Sequence, residues 1–366
     1  MSASTLSADD AAGWCAGGAV PAMREPARLT DIGQVHAGSM RVFHGLGTRT
    51  SLGFIGRVAR AASGLAADTL LDRLAPQRGE VLQRLAGHAA GNGASLAIYV
   101  HWSASGRVSE MVLRQLAGWR ELGFDVVFVT NSAPPVADIE RTLEHCVLYL
   151  RRSNIGLDFG AWRDGLAAIL ADGAEPEELL LANDSVVGPL VPLGPLVERW
   201  RAGGAGFFGM TESLAGGVHL QSYLLLARGQ AAIADMAAHL AGFADVRNKW
   251  RVVQSGEIAL TRRMMRAGHR CAALFGYARL CALARPSDYA ALGARFHGEN
   301  SLSVYPLNPT HHFWRLLLER ADFPFLKTDL IARNAGRLPG VERWRDLLDE
   351  ADVALIDAHL RVRMAG

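Results

Sequence analysis

The sequence is short of several things at once. Its four cysteines, Cys15, Cys146, Cys271 and Cys281, are scattered, and none forms a C-x-x-C pair. That scatter offers neither zinc-ligand spacing nor a disulfide framework, and it reads as reduced, mostly buried thiols. A surplus of one charge is also missing: 38 Lys and Arg stand against 36 Asp and Glu, a formal net charge of +2. Nucleic-acid-binding domains usually carry a strong basic excess, so no nucleic-acid partner is expected. No apolar run is long enough to span a bilayer. The first ten residues lack a basic start and an apolar stretch, so they do not read as a signal peptide. The expectation is a soluble, cytoplasmic protein with at most peripheral contact at the inner face of the plasma membrane. The sequence has no G-x-x-x-x-G-K-[ST] loop and no internal repeat.

Apolar residues, by contrast, are plentiful. Half of the 366 residues are hydrophobic and a fifth are charged, enough for a sizeable core. Residues 1–92 are rich in Ala, Gly, Ser and Arg, show no strand pattern, and are expected to form a helical extension. Within them, Ile55, Val58, Ala62, Leu65, Leu70 and Leu74 recur at helical spacing, with Arg57, Arg60 and Arg73 between them. Asp68 and Asp72 dilute the positive face, which favours packing on the core over a membrane surface. Gly91-Asn92-Gly93 is a natural break.

From Ser95 onward short apolar runs alternate with helical patterns. Strands are expected at 96–100, 124–130, 147–150, 178–182, 205–209 and 219–226, and helices at 108–122, 136–145, 159–170, 233–240 and 256–267. This alternation predicts an α/β core over 93–300 with a mostly parallel sheet flanked by helices, followed by a helical C-terminal segment over 301–366. Ligands of such sheets collect beyond the carboxyl ends of the strands. That rule directs attention to His101-Trp102-Ser103, Asn131-Ser132, Arg152-Ser153-Asn154 and Asn183-Asp184-Ser185.

Four clusters carry residues suited to chemistry. Asn154 to Arg163 follows a strand and opens a helix. Gly156 and Gly160 allow close backbone approach there, and Asp158 is placed to cap the helix; a plain capped turn is the competing reading. Asn183-Asp184-Ser185 ends a buried strand, where Asp184 suits a sugar hydroxyl or a divalent cation, Mg2+ or Mn2+. The triplet from Asp184 is Asp-Ser-Val, so the second carboxylate of an Asp-x-Asp metal motif is missing. A third cluster joins Phe207 to Ser213 with His219, Gln221 and Tyr223, where rings and amides suit sugar recognition. The G-x-G-x-x-G match from Gly204 to Gly209 follows a helix and leads into a strand, and no acid occurs between Ser213 and Gln230 to hold a ribose, so it is not a dinucleotide fingerprint. Glu257, read as starting a helix, is the first candidate for a general base, with Glu212 and His219 as alternatives. Arg151, Arg152, Arg262 and Arg263 are candidate phosphate contacts. His311 and His312 read as structural or acceptor-site residues, since neighbours on a helix do not share a face.

Together these motifs resemble the rhamnan-synthesis F (RgpF-type) rhamnosyltransferase family. The resemblance rests on N-x-G-x-D-F-G-A-W from Asn154, on L-L-A-N-D-S-V-V-G-P-L from Leu180, and on F-G-M-T-E-S with H-L-Q-S-Y from Phe208 and His219. N-P-T-H-H-F-W from Asn308 and F-P-F-L-K from Phe323 resemble the segment that closes that core. The resemblance implies a GT-A-like fold and an inverting transfer of a deoxysugar, with dTDP-rhamnose favoured, to a growing surface polysaccharide on an acceptor that is often lipid-linked. Donor contacts would come from His101, Trp102, Asn131, Asn154, Gly156, Asp158, Asn183 and Asp184. Acceptor or sugar contacts would come from His219, Gln221 and Trp162. The alternative is a catalytically silent sugar- or nucleotide-binding protein of a polysaccharide-assembly complex.

Overall fold

The structure, a computed structural model, describes residues 26–34, 63–72, 74, 78–246, 248–291 and 307–365. Its strands, in chain order, are β1 (Thr30–Asp31), β2 (Val81–Ala86), β3 (Ser95–His101), β4 (Asp125–Thr130), β5 (Leu148–Arg152) and β6 (Glu178–Asn183). They continue with β7 (Val186–Val187), β8 (Gly206–Ser213), β9 (His219–Leu220), β10 (Leu224–Arg228), β11 (Cys271–Phe275) and β12 (Leu326–Lys327). The main sheet runs β1-β11-β8-β10-β6-β3-β4-β5-β2. Registers are parallel for β3 with β4 and β6, for β4 with β5, and for β8 with β11, while β10 lies antiparallel between β6 and β8. Hence β3, β4, β5, β6, β8 and β11 all point the same way. The fold is α/β with a large, mostly parallel central sheet flanked by helices.

The apolar runs form these strands because both faces of the sheet are covered. Ala97 and Tyr99 of β3 join one core cluster with Trp119, Phe128 and Tyr149; Leu96, Ile98 and Val100 join the other with Trp162 and Leu166. Successive side chains on a strand point to opposite faces, so a continuous apolar run serves both layers. Helix Glu110–Glu121 is capped by Ser109, whose side chain accepts from the Val112 N–H. Gly123 ends it at φ 88°.

Three features depart from the sequence expectation. First, residues 1–92 contribute strands. β1 pairs with β11 and β2 pairs with β5, so the extension closes both edges of the sheet. The helical spacing over 54–62 lies outside the described residues, but residues 63–72 are helical. There Asp68 accepts from Asn248 Nδ2 at 2.8 Å and Asp72 pairs with Arg251, which docks the helix on the core. Second, the expected strand 219–226 is two strands, β9 and β10, separated by a turn that carries Gln221 and Ser222. Third, the helix expected at 256–267 begins earlier. It starts at Lys249 with Asn248 as its cap, passes through a π-helical turn at Val253–Ile258, and continues as Ala259–Arg266.

The described C-terminal segment is mostly helical. β12 pairs antiparallel with β7, which fixes Lys327 beside the turn after β6. The last helix, Glu350–Met364, lies against Glu110–Glu121, with His359 Nδ1 2.7 Å from Ser109 Oγ and Arg114 Nη1 2.8 Å from Asp352. Among the described residues no helix is long and apolar enough to cross a membrane.

Candidate functional site

From β3 the chain passes outward to β4 and β5, then returns to β6 on the other side of β3. The carboxyl ends of β3 and β6 therefore form the topological switch point of the parallel strands, where such sheets open a crevice. A cavity of about 480 Å³ lies there. Trp102 and Ser185, from the ends of β3 and β6, line it, as do Ser213, His219 and Gln221 from the β8–β10 region. Lys249, Trp250, Val253 and Glu257 come from the helix with the π turn, and Asn308, His311, Lys327, Asp329, Arg333 and Arg363 from the C-terminal segment.

Asp184 binds the two strand ends together. Its Oδ2 accepts from the Trp102 N–H at 2.8 Å and pairs with Arg363 Nη1 at 2.5 Å. The same Nη1 donates to the Trp102 carbonyl at 2.7 Å. Asn183 donates from Nδ2 to Asp158 Oδ2 at 2.9 Å, and its Oδ1 accepts from the Ser185 hydroxyl at 2.6 Å. Asp158 thus faces Asn183. The helix it was expected to cap has Gly156 at its N-cap, with no side-chain capping bond. Burial, aided by the nearby Asp184 charge, pushes the Asp158 carboxyl up to about 6. Lys327 donates to Ser185 Oγ at 3.1 Å and sits 4.3 Å from the centre of the Tyr223 ring. Burial lowers its ammonium to about 8, although the Glu257 and Asp158 charges act the other way.

Glu257 sits mid-helix in the π turn, a form often found at functional sites. The helix packs tightly there: a Cβ on Gly256 would come 2.7 Å from the Phe159 ring. The expected helix-end stabilisation of Glu257 is thus replaced by side-chain partners. His219 Nε2 lies 2.9 Å from Glu257 Oε1, and the Ser222 N–H, at 3.1 Å, and hydroxyl both donate to Oε2. Burial alone would raise this carboxyl, but the His219 and Ser222 donors outweigh it and hold it below the ordinary range. His219 Nδ1 donates to the Gly217 carbonyl at 2.7 Å. Both ring nitrogens therefore face acceptor oxygens.

Several expected site residues are placed elsewhere. His101 is buried, bonded through Nδ1 to Thr130 Oγ1 at 3.0 Å and stacked on Phe128, and burial lowers its pKa to about 4. Asn131 accepts from Arg152, and Arg152 is itself buried against Asp164 and the Ile155 carbonyl. Arg263 pairs with Asp235. None of Arg151, Arg152, Arg262 and Arg263 lines the cavity. Trp162 is fully buried and donates to the Ala182 carbonyl at 3.0 Å, so it is a core residue with no face toward an acceptor. Glu212 is buried with both oxygens engaged by the N–H groups of Gly33 and Tyr277, and it is not among the residues lining the cavity. Asn154 is exposed and outside the cavity lining. Gly156, at φ 78°, and Gly160 admit Asp245: a Cβ would stand 2.0 Å and 2.6 Å from its Oδ1. Asp245 in turn forms a buried bidentate pair with Arg163. Gln221 does line the cavity, bridging Thr211 and Asn308.

Nothing in the sequence around Lys249, Arg333 and Arg363 marks them as cavity residues, and Lys327 stands out only as the end of the F-P-F-L-K motif. Lys249 and Arg333 look like ordinary surface cations. Arg363 is 261 residues from Trp102, and only the docking of the last helix brings it in.

A divalent cation at Asp184 fits this donor set poorly. Mg2+ and Mn2+ need several oxygen ligands. Asp184 Oδ2 is already filled by the Trp102 N–H and Arg363, and a dication would sit against that guanidinium. Among the described residues no group of three or more His, Cys, Asp and Glu side chains is arranged to hold a metal.

Residues 126–291 match the family model described as rhamnan synthesis protein F, which covers β4 to the helices after β11. An uncharacterized protein y4gN of Sinorhizobium fredii is 29% identical over 188 residues, 50% of this chain and 49% of that protein. A virulence protein VirA of Vibrio anguillarum is 28% identical over 209 residues, 53% of this chain and 65% of that protein. The matched stretches thus span about half to two thirds of these relatives.

Proposed function

We propose that this chain is a GT-A-like glycosyltransferase of polysaccharide synthesis, moving a deoxysugar such as rhamnose from a nucleoside-diphosphate donor. The observation that carries the reading is the cavity at the switch point, where four cations, Lys249, Lys327, Arg333 and Arg363, surround a pocket that also presents the partly buried Glu257. A pyrophosphate seeks fixed cations and hydrogen-bond donors. The match to a family named for rhamnan synthesis supports the sugar chemistry.

In the proposed reaction the acceptor oxygen attacks the anomeric carbon. A new carbon–oxygen bond forms as the bond from that carbon to the donor phosphate breaks, and its electron pair leaves with the nucleoside diphosphate. Attack from the opposite face inverts the centre. The acceptor proton passes to the Glu257 carboxylate, which is ionised and reaches the cavity. His219 then holds the protonated carboxyl in place through the 2.9 Å contact. Gln221 and Asn308 offer amides to sugar hydroxyls. The acceptor is a growing glycan, and a lipid-linked one would place the protein at the cytoplasmic membrane surface.

One observation favours a silent binding protein instead: three donors already occupy Glu257, and they weaken it as a base. Glu257→Gln separates the two readings. Transfer from a dTDP-, UDP- or GDP-sugar should be lost while donor binding, read as a thermal shift, persists. A variant that transfers at the wild-type rate would remove Glu257 from the mechanism. A wild-type protein that binds a nucleotide sugar but transfers nothing to any acceptor would favour the silent binder.

A further inference from the structure

We infer that the site neutralises its diphosphate with two built-in cations, Arg363 and Lys327, and works without a divalent metal, with Asp184 as the residue that positions Arg363. This deepens the proposed function and rests on it.

Arg363 lines the cavity, and Nη1 alone makes its contacts to Asp184 and the Trp102 carbonyl. Among the described residues Nε and Nη2 have no hydrogen-bond partner. A guanidinium has five donors in a planar fork, and the unused edge suits a phosphate. Asp184 is 5% exposed, and an isolated carboxylate so buried would be strongly disfavoured. Its partner is supplied by the protein itself, from the last helix. Two further bonds hold the last turn of that helix: the Ala104 N–H donates to the Arg363 carbonyl at 3.1 Å and Ser105 Oγ to the Val362 carbonyl at 2.6 Å. Arg363 is therefore fixed in place before any ligand arrives.

Lys327 reaches the same cavity from β12, and Ser185 Oγ takes only one of its three ammonium hydrogens. Its second contact is the face of Tyr223. A departing diphosphate gains one negative charge as the glycosidic bond breaks. Two fixed cations lining one cavity supply what a dication would supply, without needing the second carboxylate that the Asp184 triplet lacks.

The test is titration calorimetry of the full chain with inorganic pyrophosphate, dTDP, UDP and GDP, each with EDTA and again with Mn2+. The expected result is binding of at least one probe in EDTA, with a Kd that Mn2+ leaves within about twofold. Arg363→Gln and Lys327→Gln should each weaken that binding roughly 10- to 100-fold, with no rescue by Mn2+. Asp184→Asn should show the same loss, and Asp184→Glu should recover part of it. Lys327→Gln leaves the Asp184 pair intact, so it still tests the inference if Arg363→Gln does not fold. Binding seen only with Mn2+ would overturn the inference and leave the nucleotide-sugar reading standing. EDTA-resistant binding that ignores both substitutions would overturn the choice of residues. No binding of any probe in either condition would remove both readings.

Discussion

Asp158→Asn should make the protein more stable. The carboxyl is partly buried, receives one hydrogen bond from Asn183, and lies near the Asp184 charge. Those surroundings raise its pKa from 3.8 to about 6. At about 1.36 kcal/mol for each factor of ten, keeping it ionised at pH 7 costs up to ~3 kcal/mol. Water reaches the partly exposed group, so ~1–2 kcal/mol is the working figure. An asparagine at 158 still accepts from Asn183 Nδ2 and carries no charge. The sign follows from linkage. Below pH 3.8 the carboxyl is protonated in both the folded and unfolded chain and the penalty is absent. As pH rises toward 6 the unfolded chain releases its proton first, so stability is lost, and the loss levels off above about 6. Urea denaturation of both proteins at pH 4 and pH 7 measures this. The asparagine variant should gain at pH 7 and gain little at pH 4. An equal gain at both values, or none at pH 7, would refute the electrostatic account of this corner of the site. A gain in stability that comes with a loss of nucleotide-sugar affinity would mark Asp158 as a residue kept for function.

Gly156→Ala should cost at least ~3 kcal/mol, because a Cβ at φ 78° would be strained and would strike Asp245, breaking its buried pair with Arg163; an unchanged melting temperature would contradict the packing described. Pyrophosphate affinity should fall as pH rises through about 8, where Lys327 loses its charge. Over the same rise the ligand-free protein should gain stability relative to Lys327→Met, since the folded-state pKa lies below the ordinary 10.5 and the unfolded chain holds the proton longer; a flat affinity profile from pH 7 to 9 would argue against Lys327 as a phosphate contact. Any membrane association should be released by a high-salt wash, and recovery in the washed membrane fraction would contradict a peripheral mode.

The fold was legible where burial is two-sided. β3, β4 and β6 are continuous apolar runs because both faces of the sheet are covered, and the pattern marks them within a residue or two. Helix Glu110–Glu121 was legible from its apolar spacing and its stop at Gly123, while its start two residues after the expected Val108 is set by the Ser109 cap. The edges were not legible. β1 has two residues, and β2 (Val-Leu-Gln-Arg-Leu-Ala) is mostly exposed with a register shift between Val81 and Gln83, so neither shows an alternation of apolar and polar residues in the sequence. Their places depend on which edges the rest of the sheet leaves open. The π turn escaped for a related reason. Its extra residue is absorbed where Gly256 meets the Phe159 ring, a contact between helices far apart in sequence.

The site shows the same divide at the level of single carboxylates. Asp184, Glu212 and Glu257 all read as acids near strand or helix ends, and nothing beside them in the sequence tells them apart. Their partners do. Glu212 is filled by two backbone N–H groups, from Gly33, 179 residues away, and from Tyr277, 65 residues away, and is an anchor for the edge strand and the helix that follow from those contacts. Asp184 is matched by a guanidinium from the last helix and ties the ends of β3 and β6 together. Glu257 meets a histidine from β9 and a serine from the turn after it, and lines the cavity. An acid's chemistry is set by which donors fill its lone pairs and whether one is left for a substrate. Here every deciding donor arrives through tertiary packing. The sequence could therefore name candidate acids, and only the fold distinguishes their surroundings.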